Sequence, residues 1–220
     1  MNNNTVAGIL IAIIFVNTLI IGAYLSKIQE TGNAVVGTVS LTILPSDECA
    51  ITLNKSWNFI SLCKNNTDLD INSALAGADF QFVLEWDETT QSYKVFSPLS
   101  QNNPFTQFDP TKSYFIYIRN GSYLYLPSGT PYSDIDLFLP PQWSVPFYPY
   151  EFQGNVSTYL STLGTNWKFQ LKWDYPTQSF KVRSRLSSNP PFTAINAGEG
   201  QFLYLTSADT LAYNKTEVTT

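Results

Sequence analysis

An internal repeat constrains the fold of this chain more than any other feature of its sequence. Residues 82–95 read FVLEWDETTQSYKV and residues 169–182 read FQLKWDYPTQSFKV, so nine of these fourteen positions are identical at an offset of 87. Upstream, Trp57 corresponds to Trp143. One copy spans about 75 to 80 residues, so two copies of one supersecondary unit are expected to account for most of the chain.

The residue pattern within one copy predicts a mainly β unit with one short helix. Residues 57–62 alternate apolar and polar side chains, which is typical of a strand with one buried face. Residues 70–77 have the composition of a short helix, which Asp70 can cap at its start and Gly77 can end. Residues 155–164 occupy the same place in the second copy.

Two hairpins are predicted in the first copy. Residues 82–96 form one of them, around a turn at residues 87–92. The Asn-Gly pair at residues 120–121 is a typical two-residue hairpin turn, and it predicts that residues 123–126 pair back onto the strand at residues 114–118.

The predicted fold class is therefore mainly β, with two tandem small antiparallel β domains behind an N-terminal transmembrane helix. The sequence divides into five predicted segments: a transmembrane helix at residues 6–25, a linker with an extra strand at residues 26–46, the first repeat at residues 47–131, the second repeat at residues 132–213 and a tail at residues 214–220.

The N-terminal stretch at residues 6–25 has twenty residues and no charge. As a helix it would be about 30 Å long, which matches the hydrocarbon core of a bilayer. We predict that it anchors the protein in the lipid bilayer as a single pass. A cleaved signal peptide is the alternative, although no Lys or Arg precedes the stretch and its length exceeds the usual apolar region of a signal peptide.

The orientation of the anchor is predicted from opposing signals. Lys27 lies on the C-terminal side of the stretch and favours a cytoplasmic C-terminal part. Cys49 and Cys63 are the only cysteines, and a disulfide between them would indicate an oxidising compartment, while two buried thiols are the alternative. The Asn-X-Ser/Thr acceptor pattern for glycosylation occurs at Asn54, Asn65, Asn120, Asn155 and Asn214. We predict an extracellular C-terminal part on these grounds.

The composition excludes several kinds of chemistry. The chain has no histidine, which removes Ser-His-Asp and Cys-His catalysis and the commonest zinc ligand. The net charge of −5 disfavours nucleic acid as a partner. Asp87 and Asp174 each follow a tryptophan, and a role in opening a hairpin turn is favoured over a role in glycoside hydrolysis. We predict no enzyme activity, no cofactor and no metal site.

Aromatic side chains are the remaining candidates for ligand binding. Trp57, Trp86, Trp143 and Trp173 recur at equivalent positions, which favours core packing over sugar stacking. The candidates for stacking on a ligand lie outside the shared pattern, in an alternating or Pro-flanked setting: Tyr123, Tyr125, Tyr148 and Tyr150.

The segment SWNFISL at residues 56–62, a short helix, a Trp-Asp hairpin and the closing segment SYFIY at residues 113–117 together resemble the GWNLISLP-type repeat modules of archaeal and bacterial cell-surface proteins. Ser56 and Ser113 stand where that pattern usually has Gly, and the second copy departs further. The resemblance implies an adhesion or surface setting and no catalytic residues.

The predicted function is that of a non-catalytic, membrane-anchored cell-surface protein for adhesion or envelope architecture. Its partners would be surface glycans or other envelope proteins. A carbohydrate-binding module, a secreted form left after cleavage of a signal peptide, and a pilin-like subunit are the alternatives. The basic-Gly cleavage site that pilins need is absent before Val6.

Overall fold

The computed structural model describes residues 49–65, 69–126 and 129–218. The described residues all belong to one compact unit, which spans residues 45–220. The predictions of a transmembrane helix at residues 6–25 and of a linker with an extra strand at residues 26–46 lie outside the described residues. Within the described ranges, no helix combines the length and the apolar character needed to cross a bilayer.

The described unit is mainly β, and each repeat contributes one four-stranded antiparallel sheet. The first repeat provides β2 (Ser56–Ser61), β4 (Phe80–Asp87), β5 (Ser92–Phe96) and β7 (Ser113–Ile118). The second provides β10 (Gln142–Ser144), β12 (Trp167–Asp174), β13 (Ser179–Ser184) and β15 (Gln201–Leu205). The strand orders, β2-β7-β4-β5 and β10-β15-β12-β13, are equivalent. The predicted hairpin over residues 82–96 is confirmed, because β4 and β5 pair with Asp87 opposite Ser92.

Smaller sheets complete each repeat. One two-stranded sheet joins its ends: β1 (Cys49–Leu53) with β8 (Ser122–Leu126), and β9 (Ile135–Leu139) with β16 (Asp209–Tyr213). A shorter one precedes each helix: β3 (Leu69–Asp70) with β6 (Gln107–Phe108), and β11 (Gly154–Asn155) with β14 (Ala194–Ile195). The predicted boundary between the repeats, at residues 131 and 132, falls between β8 and β9.

The prediction of a second hairpin around residues 120–121 is wrong. Strand β8 pairs with β1, not with β7. The physical reason is that β7 lies in the interior of its sheet, between β2 and β4, so both of its edges are already occupied. The first residue of the predicted turn and the residue before it bind Asp79 instead. Arg119 N donates to the carbonyl oxygen of Asp79 at 2.9 Å, and Asn120 Nδ2 donates to its Oδ2 at 3.0 Å.

The short helices begin where the sequence predicts. Helix α1 (Ile71–Ala74) follows Asp70, whose carboxylate accepts a hydrogen bond from Ser73 N at 2.8 Å. Helix α2 (Val156–Leu160) is capped in the same way by Asn155 and continues as a 3-10 turn to Leu163, before Gly164 with φ of 52°. Helix α3 (Lys215–Val218) lies at the end of the described chain.

Each repeat has its own hydrophobic core between the four-stranded sheet and the elements behind it. In the first repeat Ile60, Val83 and Ile116 are fully buried, and in the second Leu203 and Leu211 are. The opposite face of each sheet also carries apolar side chains, because strands such as β7 have large apolar side chains on both faces. Those faces contribute to a third cluster, which draws residues from both repeats.

Candidate functional site

The two four-stranded sheets face each other across a cluster of large side chains that we call the shared aromatic cluster: Phe59, Phe115, Val145 and Phe202. The ring centroids of Phe59 and Phe115 are 4.3 Å apart and nearly parallel, and those of Phe59 and Phe202 are 5.2 Å apart. All four residues are at most 6% exposed. The repeats are thus joined by a buried, mainly aromatic interface within the unit of residues 45–220.

The recurring tryptophans lie around the shared aromatic cluster, each half-buried. Trp86 Nε1 donates to the carbonyl oxygen of Trp143 at 3.0 Å, and Trp173 Nε1 donates to that of Trp57 at 3.1 Å. The two bonds are equivalent under the repeat and run in opposite directions between the copies. The tryptophans pack against a core, as predicted. That core lies at the junction of the repeats and not inside either repeat.

Two glutamines at the hairpin tips each form two side-chain hydrogen bonds with the backbone of one of these tryptophans, an arrangement that we call a glutamine clamp. Gln178 Oε1 accepts from Trp57 N at 3.0 Å and Gln178 Nε2 donates to Trp57 O at 3.3 Å. Gln91 binds the backbone of Trp143 in the same way, at 3.1 and 3.0 Å. Both glutamines have left-handed backbone conformations, with φ of 51° and 49°. The sequence reasoning missed them, although the recurrence of Thr-Gln-Ser in both turns was the available signal.

The backbone also pairs across the junction at equivalent places. Gly200 N donates to Phe59 O at 3.0 Å, and its counterpart Ser113 N donates to Val145 O at 3.2 Å. A second equivalent pair joins Ser61 N to Gly198 O and Phe147 N to Thr111 O, at 3.0 and 3.3 Å. The tryptophan, glutamine and backbone bonds across the junction thus occur in pairs that run in opposite directions, whereas the hydroxyl bonds of Ser61 to Glu199 O and of Ser113 to Pro146 O have no counterpart. The interface therefore has local two-fold pseudosymmetry, as in an isologous dimer.

Replacing Gly200 by alanine is expected to lower the free energy of unfolding by about 1 to 3 kcal/mol, the usual cost of overpacking. A Cβ at this position would lie 2.9 Å from the Phe59 ring and 3.1 Å from the carbonyl oxygen of Ile60. Gly77→Ala is the matched control, because nothing lies within 4 Å of its Cβ position. Urea denaturation of both variants checks this, and equal midpoints would contradict it.

An ion pair in each sheet has opposite polarity in the two repeats. In the first, Lys112 Nζ binds Glu85 Oε1 at 3.0 Å, and in the second, Lys172 Nζ binds Glu199 Oε2 at 2.6 Å. Glu85 corresponds to Lys172 and Lys112 to Glu199 at the offset of 87. Both charges have therefore exchanged places while the contact remained, so the duplication preserved the pair and not the residue types.

Asp87 and Asp174 open the hairpin turns, as predicted. Asp87 Oδ1 accepts a hydrogen bond from Thr89 N at 2.9 Å, and this bond lowers the pKa of the carboxyl. The hydrogen bond from Lys181 does the same for the pKa of Asp174. Each carboxylate also has a lysine partner in its own hairpin, Lys94 for Asp87 and Lys181 for Asp174. Within the described ranges, no group of three or more Asp, Glu, Cys or His side chains is placed to hold a metal ion.

The tyrosines predicted to stack on a ligand have different surroundings. The expectation is wrong for Tyr148 and Tyr150, which are 0% and 2% exposed. Both join the core of the second repeat, where Tyr150 Oη donates to Tyr213 O at 2.9 Å, and burial raises the pKa of Tyr150 to about 12. Tyr123 is 67% exposed on β8, opposite Thr52. The side chain of Tyr125 lies outside the described residues.

The glycosylation candidates are mostly at the surface. Asn54, Asn65, Asn120 and Asn155 are exposed and Asn214 is half-buried. Asn155 Oδ1 serves as a helix cap, which leaves its amide nitrogen as the group a glycan would use.

Cys63 is 2% exposed, and the described part of the chain contains no free cysteine. The side chain of Cys49 lies outside the described residues, so the disulfide between Cys49 and Cys63 stays a prediction.

A cleft opens at one side of the shared aromatic cluster. Its volume is about 190 Å³, and its lining residues come from both repeats: Trp57, Leu84, Tyr93, Phe115, Trp173 and Phe180. Tyr93 is 40% exposed at its rim, and burial of the rest of the ring raises the pKa of its hydroxyl above the ordinary value for tyrosine. The lining is nearly all apolar, so the cleft suits the face of a ring, and Tyr93 is the one lining residue with an ionisable group.

The cleft and the junction around it constitute the candidate functional site. Comparisons of the chain with protein-family models, with curated proteins and with solved structures give no match. The resemblance to GWNLISLP-type modules therefore stays a prediction.

Proposed function

We propose that this chain is a non-catalytic, membrane-anchored cell-surface protein in which two β repeats act as one rigid body for adhesion or envelope architecture. The observation that carries the proposal is the pseudosymmetric junction. The recurring tryptophans, turn glutamines and aromatic rings, which are the strongest features of the sequence, are used to hold one repeat against the other. A residue set conserved through the duplication for this purpose supports a mechanical or spacing role.

The anchor at residues 6–25 and the extracellular placement of the repeats belong to the same proposal. Membrane fractionation of cells expressing the full chain with a C-terminal tag tests them. We expect the chain to resist carbonate extraction, and the tag to be digested when protease is added to intact cells. Recovery of the protein in the soluble cytoplasmic fraction would overturn the proposal.

The disulfide between Cys49 and Cys63 provides a further prediction. It would close a 15-residue loop, which the chain-entropy model values at about 3 kcal/mol. We expect the intact mass of the exported protein to rise by about 2 Da on reduction, and its urea midpoint to fall. A Cys49→Ser, Cys63→Ser variant should match the reduced protein, and an unchanged mass on reduction would contradict the bond.

Carbohydrate binding is the second candidate, and the apolar cleft favours it. Aromatic rings stack on the apolar faces of sugars, and Trp57 and Trp173 make any occupant visible through their fluorescence. A glycan array probed with the full chain in detergent tests this candidate. A binding glycan should change the tryptophan fluorescence of the wild type and lose affinity with Tyr93→Ala. An array without signal would leave the architectural role as the conclusion.

A further inference from the structure

A lysine, a glutamate and an asparagine of the second repeat form a chain of hydrogen bonds beside the junction. Lys172 Nζ donates to Glu199 Oε2 at 2.6 Å, and Asn196 Nδ2 donates to Glu199 Oε1 at 3.0 Å. The amine and the side-chain amide are therefore held on the two oxygens of one carboxylate. Gln153 Nε2 donates to Asn196 Oδ1 at 2.8 Å, so the amide oxygen is hydrogen-bonded as well.

A tight turn fixes two of these side chains. Glu199 N donates to Asn196 O at 3.1 Å, and Gly198 within the turn has φ of 75°, a left-handed conformation that glycine adopts without strain. Asn196 N donates to Glu199 Oε2 at 2.7 Å, which holds the carboxylate against the backbone of the turn. Lys172 reaches the same oxygen from strand β12, and its Nζ also donates to Ala194 O at 3.3 Å. The amine and the amide thus come from separate parts of the chain and meet at one carboxylate.

The side chains have the roles that formation of an amide between them requires. A primary amine is the nucleophile, a carboxamide is the electrophile, and a carboxylate within hydrogen-bond reach of both can move protons between them. Gln153 is placed as a donor to the oxygen on which negative charge develops. The side chains of Lys172 and Glu199 are only 17% and 20% exposed, so little water competes for their contact. Asn196 is exposed, which gives released ammonia a path to solvent.

We propose that Lys172 and Asn196 are joined by an amide bond between their side chains, with Glu199 as the general acid and base. Glu199 Oε2 takes a proton from Lys172 Nζ, and the neutral amine attacks Cγ of Asn196. The attack requires the lysine side chain to rotate from the carboxylate to the adjacent carbon, and proximity of this kind replaces an encounter in solution.

The remaining steps balance in atoms and charge. Glu199 passes its proton to the amide nitrogen of Asn196, and the bond between that nitrogen and Cγ breaks. The new bond between Lys172 Nζ and Cγ remains. Ammonia leaves and takes the second proton of the attacking amine as ammonium, so Glu199 returns to its carboxylate form and nothing is oxidised or reduced.

The first repeat provides an internal comparison. It keeps the ion pair, because Lys112 Nζ binds Glu85 Oε1 at 3.0 Å, but Asp109 stands where the second repeat has Asn196. Asp109 Oδ1 accepts hydrogen bonds from Thr111 N and Thr111 Oγ1, at 2.9 and 2.6 Å. The first repeat therefore has the ion pair without the carboxamide, and we expect the amide bond in the second repeat and not in the first.

The bond would close a loop of 25 residues, from Lys172 on β12 to the turn that precedes β15. That turn contacts the first repeat, since Ser61 N donates to Gly198 O at 3.0 Å and Ser61 Oγ donates to Glu199 O at 2.9 Å. A covalent link from β12 to the turn would stabilise this contact, because a crosslink restricts the unfolded chain more than the folded one. The bond depends neither on the membrane anchor nor on a ligand in the cleft.

Mass spectrometry of the full chain tests the bond, with protein from a host without N-glycosylation that is purified in detergent and then reduced and denatured. We expect an intact mass about 17 Da below that of the sequence, the mass of one ammonia. Trypsin should yield residues 169–181 linked to residues 186–215, because it does not cleave after a lysine whose amine is blocked. Separate peptides with unmodified Lys172 and unmodified Asn196 would overturn the proposal. A loss of about 18 Da, with the link at Glu199, would overturn the assignment of Asn196.

Three variants separate amide formation from an ordinary ion pair. Lys172→Met, Asn196→Ala and Glu199→Gln should each have the full mass of their sequence, the last because its side chain keeps the size but cannot take the proton. Lys112→Met is the matched control, since it removes the equivalent ion pair of the first repeat and should keep the deficit of about 17 Da.

Near-UV circular dichroism shows whether each variant is folded. A deficit that persists in Lys172→Met or Asn196→Ala would overturn the bond, and one that persists in Glu199→Gln would overturn the role of Glu199. The peptide map of the wild type decides whether the bond exists even if a variant does not fold.

Discussion

Replacing Phe59 by alanine is expected to lower the free energy of unfolding by about 3 to 5 kcal/mol, the usual range for a buried Phe→Ala change. Phe59 is 2% exposed and lies at the centre of the shared aromatic cluster, stacked on Phe115 from its own repeat and on Phe202 from the other. Removal of its ring would leave a cavity that is lined by side chains from both sheets. Urea denaturation of the full chain in detergent, followed by tryptophan fluorescence, measures the change.

Phe138→Ala is the matched control for Phe59→Ala. Phe138 is 72% exposed on β9, so its removal should change the free energy of unfolding by less than about 0.5 kcal/mol. Because the cluster joins the repeats, we also expect Phe59→Ala to separate the unfolding into two transitions or to broaden it. A Phe59→Ala protein as stable as the Phe138→Ala control would show that the repeats do not depend on this interface.

The second large effect is expected in the core of the second repeat. Replacing Gln201 by leucine should lower the free energy of unfolding by about 2 to 4 kcal/mol. Gln201 is 0% exposed, and its Oε1 accepts hydrogen bonds from Tyr159 Oη at 3.0 Å and from Gln170 Nε2 at 2.7 Å. Its Nε2 donates to Tyr213 Oη at 2.7 Å. A leucine would leave these buried polar groups with fewer partners, and each such loss costs about 1 to 3 kcal/mol.

A second substitution tests whether the loss of stability in Gln201→Leu comes from the hydrogen-bond network around Gln201. Val83 stands in the first repeat where Gln170 stands in the second, so Gln170→Val is a change that the fold accepts elsewhere. The double variant Gln170→Val, Gln201→Leu should lower the free energy of unfolding by less than the sum of the two single variants, because the two glutamines hydrogen-bond to each other. Gln107→Leu, at an exposed position, is the control and should be nearly neutral. Additive costs would contradict a shared network.

The sequence was sufficient to predict the elements that local chemistry determines. The hairpin over residues 82–96 follows from alternation and from an aspartate at the turn, and helix α1 follows from the cap at Asp70. The duplication itself is visible in the residue identities. For the hairpin and the helix, the deciding contacts, at the turn and at the cap, join residues two or three positions apart along the chain.

Long-range competition explains what the sequence could not predict. The Asn-Gly pair at residues 120–121 has turn chemistry, but the strand before it is already paired on both edges, so β8 is left to pair with β1. Tyr148 and Tyr150 lie on either side of Pro149, a Pro-flanked setting that favours an exposed loop. The second repeat nevertheless buries tyrosines where the first packs smaller side chains, such as Leu62 in place of Tyr148.

The candidate site was predictable only in part. Recurrence identified the tryptophans, but packing within one repeat and packing between two repeats give the same alternation along a strand. The glutamine clamps depend on a left-handed backbone at Gln91 and Gln178, which no residue-type preference indicates. The cleft requires both sheets in place before it exists, since its lining combines Leu84 and Tyr93 with Trp173 and Phe180.

The pseudosymmetric junction has a consequence for how firmly the two repeats stay together. Two separate copies joined through the same surface would dissociate when diluted, whereas two copies on one chain remain together at any dilution, because their encounter is intramolecular. The fusion also permits the halves to diverge, as the reversed ion pairs illustrate. One half is then free to acquire a new contact while the other continues to hold it in place.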